Sequence, residues 1–400
     1  MNLKTNIIDR PVYLEKIRRF QDKQLVKVVT GIRRCGKSTL LALFRRRLRE
    51  SGVPEGAIQS YNFEDLSFEG LTDYRRLHAE VAGKLSEGRM NYVFFDEIQL
   101  VPQFEKAVDS LLAKGNVDVY LTGSNAFLLS GELATLLSGR MVEIHLMPLS
   151  FREAFGDGGN AQDFRTYLGE TAFPYARQLE SAEDVFDYLE GVYNTVILKD
   201  VVSRRGNLDV NQLQRVARFL MGNIGNLVSI KKISDTMTSD GQKISTHTVD
   251  AYLEALSAAY LFYRVPRFDV KGKQLLKTGA KYYTADLGLR TLVLGERNAD
   301  FGHALENIVY LELRRRGWRV FVGKEGAKEI DFIAQRDGRT EYFQVALTAL
   351  DEDTRLRELA PLAAVDDSFP KTLLTLDPLP FSTHKGIAIL NAVDWLTGKE

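Results

Sequence analysis

The chain has 400 residues, 53 lysines and arginines against 53 aspartates and glutamates, one cysteine, and 44% apolar residues. A chain this long exceeds what one hydrophobic core serves and is expected to hold roughly two to four domains. Its ordinary composition excludes wholesale disorder, its zero net charge excludes coating of DNA or anionic membranes by bulk electrostatics, and its single cysteine excludes an internal disulfide framework. No apolar run approaches the roughly 18 residues of a membrane span, and the opening residues lack a signal-peptide core. A cytoplasmic protein without a membrane partner is expected.

The neutral total hides an asymmetry. Residues 1–50 hold fourteen basic and four acidic residues, and residues 51–100 hold four basic and nine acidic. The cause begins at Leu25-Val26-Lys27-Val28-Val29-Thr30, a β-branched run that predicts a buried strand. Gly31-Ile32-Arg33-Arg34-Cys35-Gly36-Lys37-Ser38-Thr39 follows and matches the phosphate-binding loop G-x-x-x-x-G-K-[ST] in full. Leu40, Leu41, Leu43, Phe44 and Leu48 then fall at helical spacing. Strand, glycine loop and helix are the context the motif requires. Its chemistry calls for inward-facing backbone N–H groups and the positive end of a helix around phosphate oxygens. Lys37 is expected to reach the β- and γ-phosphates of ATP, and Ser38 to ligate Mg²⁺.

Ala57–Phe63 reads as a second strand. Asn91-Tyr92-Val93-Phe94-Phe95-Asp96-Glu97 reads as a third, ending in two carboxylates, as a Walker B strand does. Asp96 is expected to hold the Mg²⁺ shell and Glu97 to orient or deprotonate the attacking water. Val117–Asn125 reads as a fourth strand with a polar tip at Ser124 and Asn125. Met141–Leu146 reads as a fifth. Arg140, just before it, is a candidate to stabilise phosphoryl charge, in cis or across a subunit interface.

The stretches Gly-Ile-Arg-Arg-Cys-Gly-Lys-Ser, Phe-Phe-Asp-Glu-Ile-Gln, Leu-Thr-Gly-Ser-Asn and Pro148-Leu149-Ser150-Phe151 together resemble the prokaryotic AAA-type ATPases of the archaeal-ATPase-like group. The resemblance covers nearly the whole chain. It implies an α/β AAA+ core with a parallel sheet, a helical lid after it, a γ-phosphate sensor at Asn125, and a homo-oligomer.

Residues 151–226 are mostly helical in pattern, and the lid is assigned there. Arg204 and Arg205 near its end are further arginine-finger candidates. From Gly225 the order becomes helix (Ser229–Met237), turn (Asp240-Gly241), helix (from Ser245 or Thr246) and hairpin (Leu261–Val265 with Tyr282–Thr284), which is the winged-helix order. Arg264, Arg267, Lys271, Lys273, Lys277 and Lys281 make the wing basic, so sequence-tolerant DNA binding is expected of it.

The last hundred residues read as a helix carrying Glu306, then Arg314-Arg315-Arg316, a strand, a hairpin carrying Asp331, and a strand with Gln344-Val345-Ala346. This layout resembles the PD-(D/E)xK nuclease core, which works with Mg²⁺ and a lysine. Gln344 stands where a carboxylate is expected and Ala346 where the lysine is, leaving Lys328 as the migrant candidate. Nuclease activity is therefore not expected.

The sequence thus predicts an ATPase core over 1–150, a helical lid over 151–225, a winged helix over 226–300 and a degenerate restriction-endonuclease-like α/β domain over 301–400. Hydrolysis is expected to drive remodelling of, or translocation on, DNA, with a partner-recruiting switch as the alternative. Cys35, inside the phosphate loop, is expected to be alkylated in competition with ATP.

Overall fold

A computed structural model describes residues 7–126, 137, 139–202, 208–241, 243–295, 300–378 and 382–399, with Lys277 described by its backbone alone. The chain divides into two compact units, 1–148 with 258–260, and 149–257 with 261–400. The segment boundaries expected at 225/226 and 300/301 lie inside the second unit.

The first unit opens with α1 (Pro11–Arg19) and is built on five strands: β1 (Val26–Thr30), β2 (Ile58–Asn62), β3 (Asn91–Asp96), β4 (Val117–Gly123) and β5 (Met141–His145). They lie in the order β2-β3-β4-β1-β5 and every pairing is parallel. Strands buried on both faces need no polar alternation, which is why β3 and β4 read as near-continuous apolar runs. On one face Val26, Val28, Val93, Phe95, Val119 and Leu121 pack with Leu77 and Val81 of α3 (Tyr74–Gly83) and Val108, Leu111 and Leu112 of α4 (Phe104–Leu112). On the other, α2 (Lys37–Glu50) buries Phe44 against the rings of Phe94 and Tyr120. Lys27 points to that second face. It is fully buried in an ion pair with Asp118, whose other carboxylate oxygen accepts from the Tyr120 hydroxyl at 2.7 Å. Burial pushes the Lys27 ammonium down and the Asp118 carboxyl up, and their mutual attraction opposes both shifts.

Parallel order fixes the site. All five C-terminal strand ends lie on one edge, and the register sets Thr30 beside Gly123 and Phe95 beside Leu121. Loops after β1, β3 and β4 therefore meet at that edge.

The second unit opens with helices at Phe151–Phe155, Ala161–Gly169, Ala182–Thr195 (running on into a π-helical turn, Val196–Val202) and Val210–Gly222. The expected helix, turn, helix and hairpin follow at Ile230–Ser239, Thr246–Ala258 and β6 (Phe262–Asp269) with β7 (Gln274–Thr284). Ser229 and Ser245 cap the two helices, accepting from the N–H groups of Lys232 and Thr248. The hairpin is not a free wing. β6 pairs in parallel with β8 (Arg319–Glu325), which pairs with β9 (Lys328–Arg336) and through it with β10 (Arg339–Val345). With β11 (Lys371–Thr375), β12 (Ser382–His384) and β13 (Ile387–Asn391) this makes an eight-stranded mixed sheet, in the order β12-β13-β11-β10-β9-β8-β6-β7. Among the described residues no helix is long and apolar enough to cross a membrane.

Candidate functional site

The loop after β1 is shaped by backbone that ordinary residues avoid. Gly31 has φ +145° and Gly36 φ +102°. A Cβ on Gly31 would lie 2.1 Å from the Leu146 carbonyl oxygen, so this glycine is required by the close approach of the chain after β5 as well as by the turn. Gly36 sits in the left-handed region as the residue before α2, and no side chain caps that helix start. Its free N–H groups and dipole face the loop. Ile32 and Cys35 are fully buried beneath the loop, whereas Arg34, Ser38 and Thr39 are exposed.

Lys37 is 5% exposed. Its ammonium folds back on the loop, donating to the carbonyls of Gly31 (3.1 Å) and Ile32 (3.3 Å). Arg33 donates to Glu64 at 2.9 Å. At the end of β3, Asp96 and Glu97 diverge because Glu97 adopts φ +52°. One residue ties both: the buried Thr122 hydroxyl donates to the Asp96 carboxylate and accepts from the Glu97 N–H at 2.9 Å. The Glu97 carboxylate in turn accepts from Gln99 and, at 3.5 Å, from Ser124. Burial raises the Glu97 carboxyl above its ordinary 4.5, and the charges of Lys37 and Arg33 partly oppose that rise. Glu97 is thus a buried carboxylate in the field of the Lys37 ammonium and the Arg33 guanidinium.

The sequence expectations separate here. The loop residues, Lys37, Ser38, Asp96, Glu97 and Ser124 converge on the C-terminal edge, with buried Asn125 two residues beyond β4. Arg140 does not join them. It precedes Met141, which pairs with Val26 at the start of β1, so Arg140 lies at the opposite end of the sheet and pairs with Asp109 at 2.8 Å. Arg204 and Arg205 lie outside the described residues. Cys35 is not open to competition with nucleotide: its thiol is fully buried, donates to the Leu146 carbonyl at 3.3 Å, and is raised further from ionisation by burial. The basic wing is also reduced. Lys281 is buried, while Arg264, Lys271 and Lys273 are exposed. Of the arginine triplet, Arg315 and Arg316 both pair with Glu312, and Arg316 lies over the Trp395 ring.

Sequence reasoning missed Thr122, Gln99 and Arg10. Strand alternation was a usable signal for Thr122, since it sits two residues before Ser124. Arg10 gave no signal. It is 4% exposed and donates to the carbonyls of Met147 (2.7 Å) and Cys35 (3.4 Å), bracing the loop from behind.

Residues 23–155 match the AAA domain family, and residues 161–300 match a domain family of unknown function. An uncharacterised protein of Haemophilus influenzae is 38% identical over 398 residues, an alignment that covers 98% of each chain. The chain belongs to the prokaryotic AAA-type ATPases. An uncharacterised protein of Methanocaldococcus jannaschii is 29% identical over 384 residues, covering 89% of this ATPase and 81% of its own length. The Walker-type ATPase of Pyrococcus abyssi superposes with a TM-score of 0.45 at 18% identity, over 72% of this chain and 97% of that one. AAA-type ATPases bind nucleotide, usually with Mg²⁺. The donors here suit such an ion: an exposed Ser38 hydroxyl at the helix start and the half-buried Asp96 carboxylate are both hard oxygen ligands.

Proposed function

We propose that the first unit hydrolyses ATP to ADP and phosphate. The observation that carries this is the single hydroxyl of Thr122 fixing Asp96 and Glu97 together on the edge where the phosphate loop ends. In this reading the N–H groups of residues 31–39 cradle the phosphates and Lys37 leaves its two carbonyl partners to neutralise the β- and γ-phosphates. Ser38 and Asp96 would hold Mg²⁺, which supplies charge neutralisation at the phosphates. Glu97 accepts a proton from the attacking water, and Asn125 reports the γ-phosphate. Lys37→Ala is expected to abolish nucleotide binding, and Glu97→Gln to bind ATP while hydrolysing it at least tenfold more slowly. Full turnover by Glu97→Gln overturns the assignment.

For the output, we favour a nucleotide-dependent switch that recruits a protein partner, in a homo-oligomer whose neighbouring copy completes the site. Supporting this, Lys281, Arg315 and Arg316 are committed to internal ion pairs and so are removed from a DNA face. A DNA-directed motor is the second reading and rests on exposed Arg264, Lys271 and Lys273. One ATPase assay without DNA and with single-stranded, duplex and branched DNA, using Lys37→Ala as blank, separates them. DNA stimulation that fades steeply with salt supports the motor. DNA-indifferent turnover, with an oligomer size that changes between ATP and ADP, supports the switch.

A further inference from the structure

The densest buried charge in the second unit lies far along the chain from the phosphate loop. Strand alternation puts Lys281 and Tyr283 on one face of β7, and Glu329 and Asp331 on one face of β9. The helix Phe301–Arg315 adds Glu306. The Lys281 ammonium is 3% exposed and contacts all three acids: Glu306 at 2.7 Å, Glu329 at 2.9 Å and Asp331 at 3.4 Å. The ammonium donates hydrogen bonds to Glu306 and Asp331 and pairs with Glu329 as an ion. Further bonds tie the same groups. Tyr283 donates to Glu306, the Val345 N–H donates to Asp331 at 3.0 Å, and the Asp331 N–H donates to Gln344 at 3.3 Å. Stacked Tyr283 and Tyr310, with Phe332 against both, form an aromatic wall beside the cluster.

A PD-(D/E)xK centre needs its carboxylate oxygens open to a divalent ion and a lysine on the nucleophilic water. Neither condition holds. Gln344 spends its carbonyl oxygen on a backbone N–H, and the migrant candidate Lys328 instead donates to the Ala360 carbonyl at 3.0 Å. Among the described residues, the lysine that does reach Glu306 and Asp331 comes from β7, and it reaches them as their counter-charge. Burial alone pushes the Lys281 ammonium down, but the three carboxylates outweigh burial and hold it above its ordinary value, so it stays charged. The residues present do not fit a divalent ion.

We propose that Lys281 is a built-in cation: its ammonium takes the place that a nuclease of this layout gives to a metal, and it fastens the β6–β7 hairpin to the helix Phe301–Arg315 and to β9. This inference stands apart from the ATPase reading. It explains why the basic hairpin is part of the sheet rather than a free wing.

The test is thermal unfolding of the full chain carrying Asp96→Asn, which removes the metal carboxylate of the nucleotide site, in EDTA and in excess Mn²⁺. With Lys281 intact, the Tm is expected to be indifferent to Mn²⁺. Adding Lys281→Ala strands two buried carboxylates and the half-exposed Glu329, and lowers the Tm by roughly 6–15 °C in EDTA. Mn²⁺ then restores part of the loss and binds with one site per chain. Should Lys281→Ala fail to fold in either buffer, the neutral set Lys281→Met, Glu306→Gln, Glu329→Gln, Asp331→Asn decides. Recovery of folding supports the counter-charge role, and failure overturns it. Mn²⁺ stabilisation of the chain with Lys281 intact that disappears in Asp331→Asn, or Mn²⁺-dependent DNA cleavage lost in Asp331→Asn, overturns the proposal outright.

Discussion

Thr122→Val is the most informative single change at the proposed nucleotide site. Valine keeps the β-branched shape that suits the middle of a sheet and removes only the hydroxyl. That hydroxyl donates to the Asp96 carboxylate and accepts from the Glu97 N–H at 2.9 Å, inside a fully buried environment. A hydrogen bond to a charged group is worth about 1.5–3 kcal/mol, and a buried N–H left unpaired costs about 1–3 kcal/mol. Glu97 is also held at φ +52°, a conformation that costs a non-glycine residue on the order of 1–3 kcal/mol and persists only where its surroundings enforce it. Allowing for partial relaxation, about 2–4 kcal/mol of positioning is lost, which corresponds to roughly a 30- to 1,000-fold fall in kcat. Lys37 and the loop N–H groups are untouched, so nucleotide affinity is expected to stay within a few-fold. Steady-state phosphate release gives the first quantity and equilibrium titration with a fluorescent ATP analogue the second. A variant with undiminished kcat, or one that loses binding instead of turnover, refutes the reasoning.

Three further outcomes are expected. Gly31→Ala drives a Cβ against the Leu146 carbonyl, so the Tm should fall by several degrees and nucleotide binding should be lost; a variant that melts and binds normally contradicts this account of the loop. Because burial raises the Glu97 carboxyl above its ordinary 4.5, and a proton acceptor must be ionised, the acid limb of kcat/KM should lie above 4.5, with activity falling as the pH drops through it; a flat profile down to the ordinary carboxylate range argues against Glu97 as the base. Cys35 should react slowly with iodoacetamide at the same rate with and without ATP, because its thiol is buried beneath the loop; rapid labelling blocked by ATP would restore the exposed-thiol expectation.

The legibility of the two units differs for a physical reason. In the first unit, the sequence was sufficient wherever the chemistry is local. A phosphate loop is made by consecutive backbone N–H groups, so Gly31, Gly36, Lys37 and Ser38 declare it within nine residues. A doubly buried parallel strand ending in two acids declares Asp96 and Glu97. Even the strand limits moved by only a residue or so, Ala57–Phe63 becoming Ile58–Asn62. Partners far apart in the chain were another matter. Thr122 lies on a neighbouring strand from Asp96, and Arg10 reaches Met147 across most of the first unit.

In the second unit, periodicity located the helix-turn-helix segment, the helix carrying Glu306 and β6 to β10, but local pattern carries no information on which strand neighbours which. The hairpin read as a free basic wing because its charges were counted along the chain. Folding pairs β6 with β8 and turns Lys281 inward, where Glu306, Glu329 and Asp331 absorb its charge. Arg140 likewise stood just ahead of a strand, and only the parallel pairing of Met141 with Val26 shows that it lies at the end of the sheet away from the phosphate loop of its own chain. The sequence by itself determined the phosphate-loop pattern and its strand and helix, since contiguous residues make them. The tertiary structure alone decided which distant charges neutralise one another, because an ion pair depends on distances between chain segments that composition and spacing do not encode.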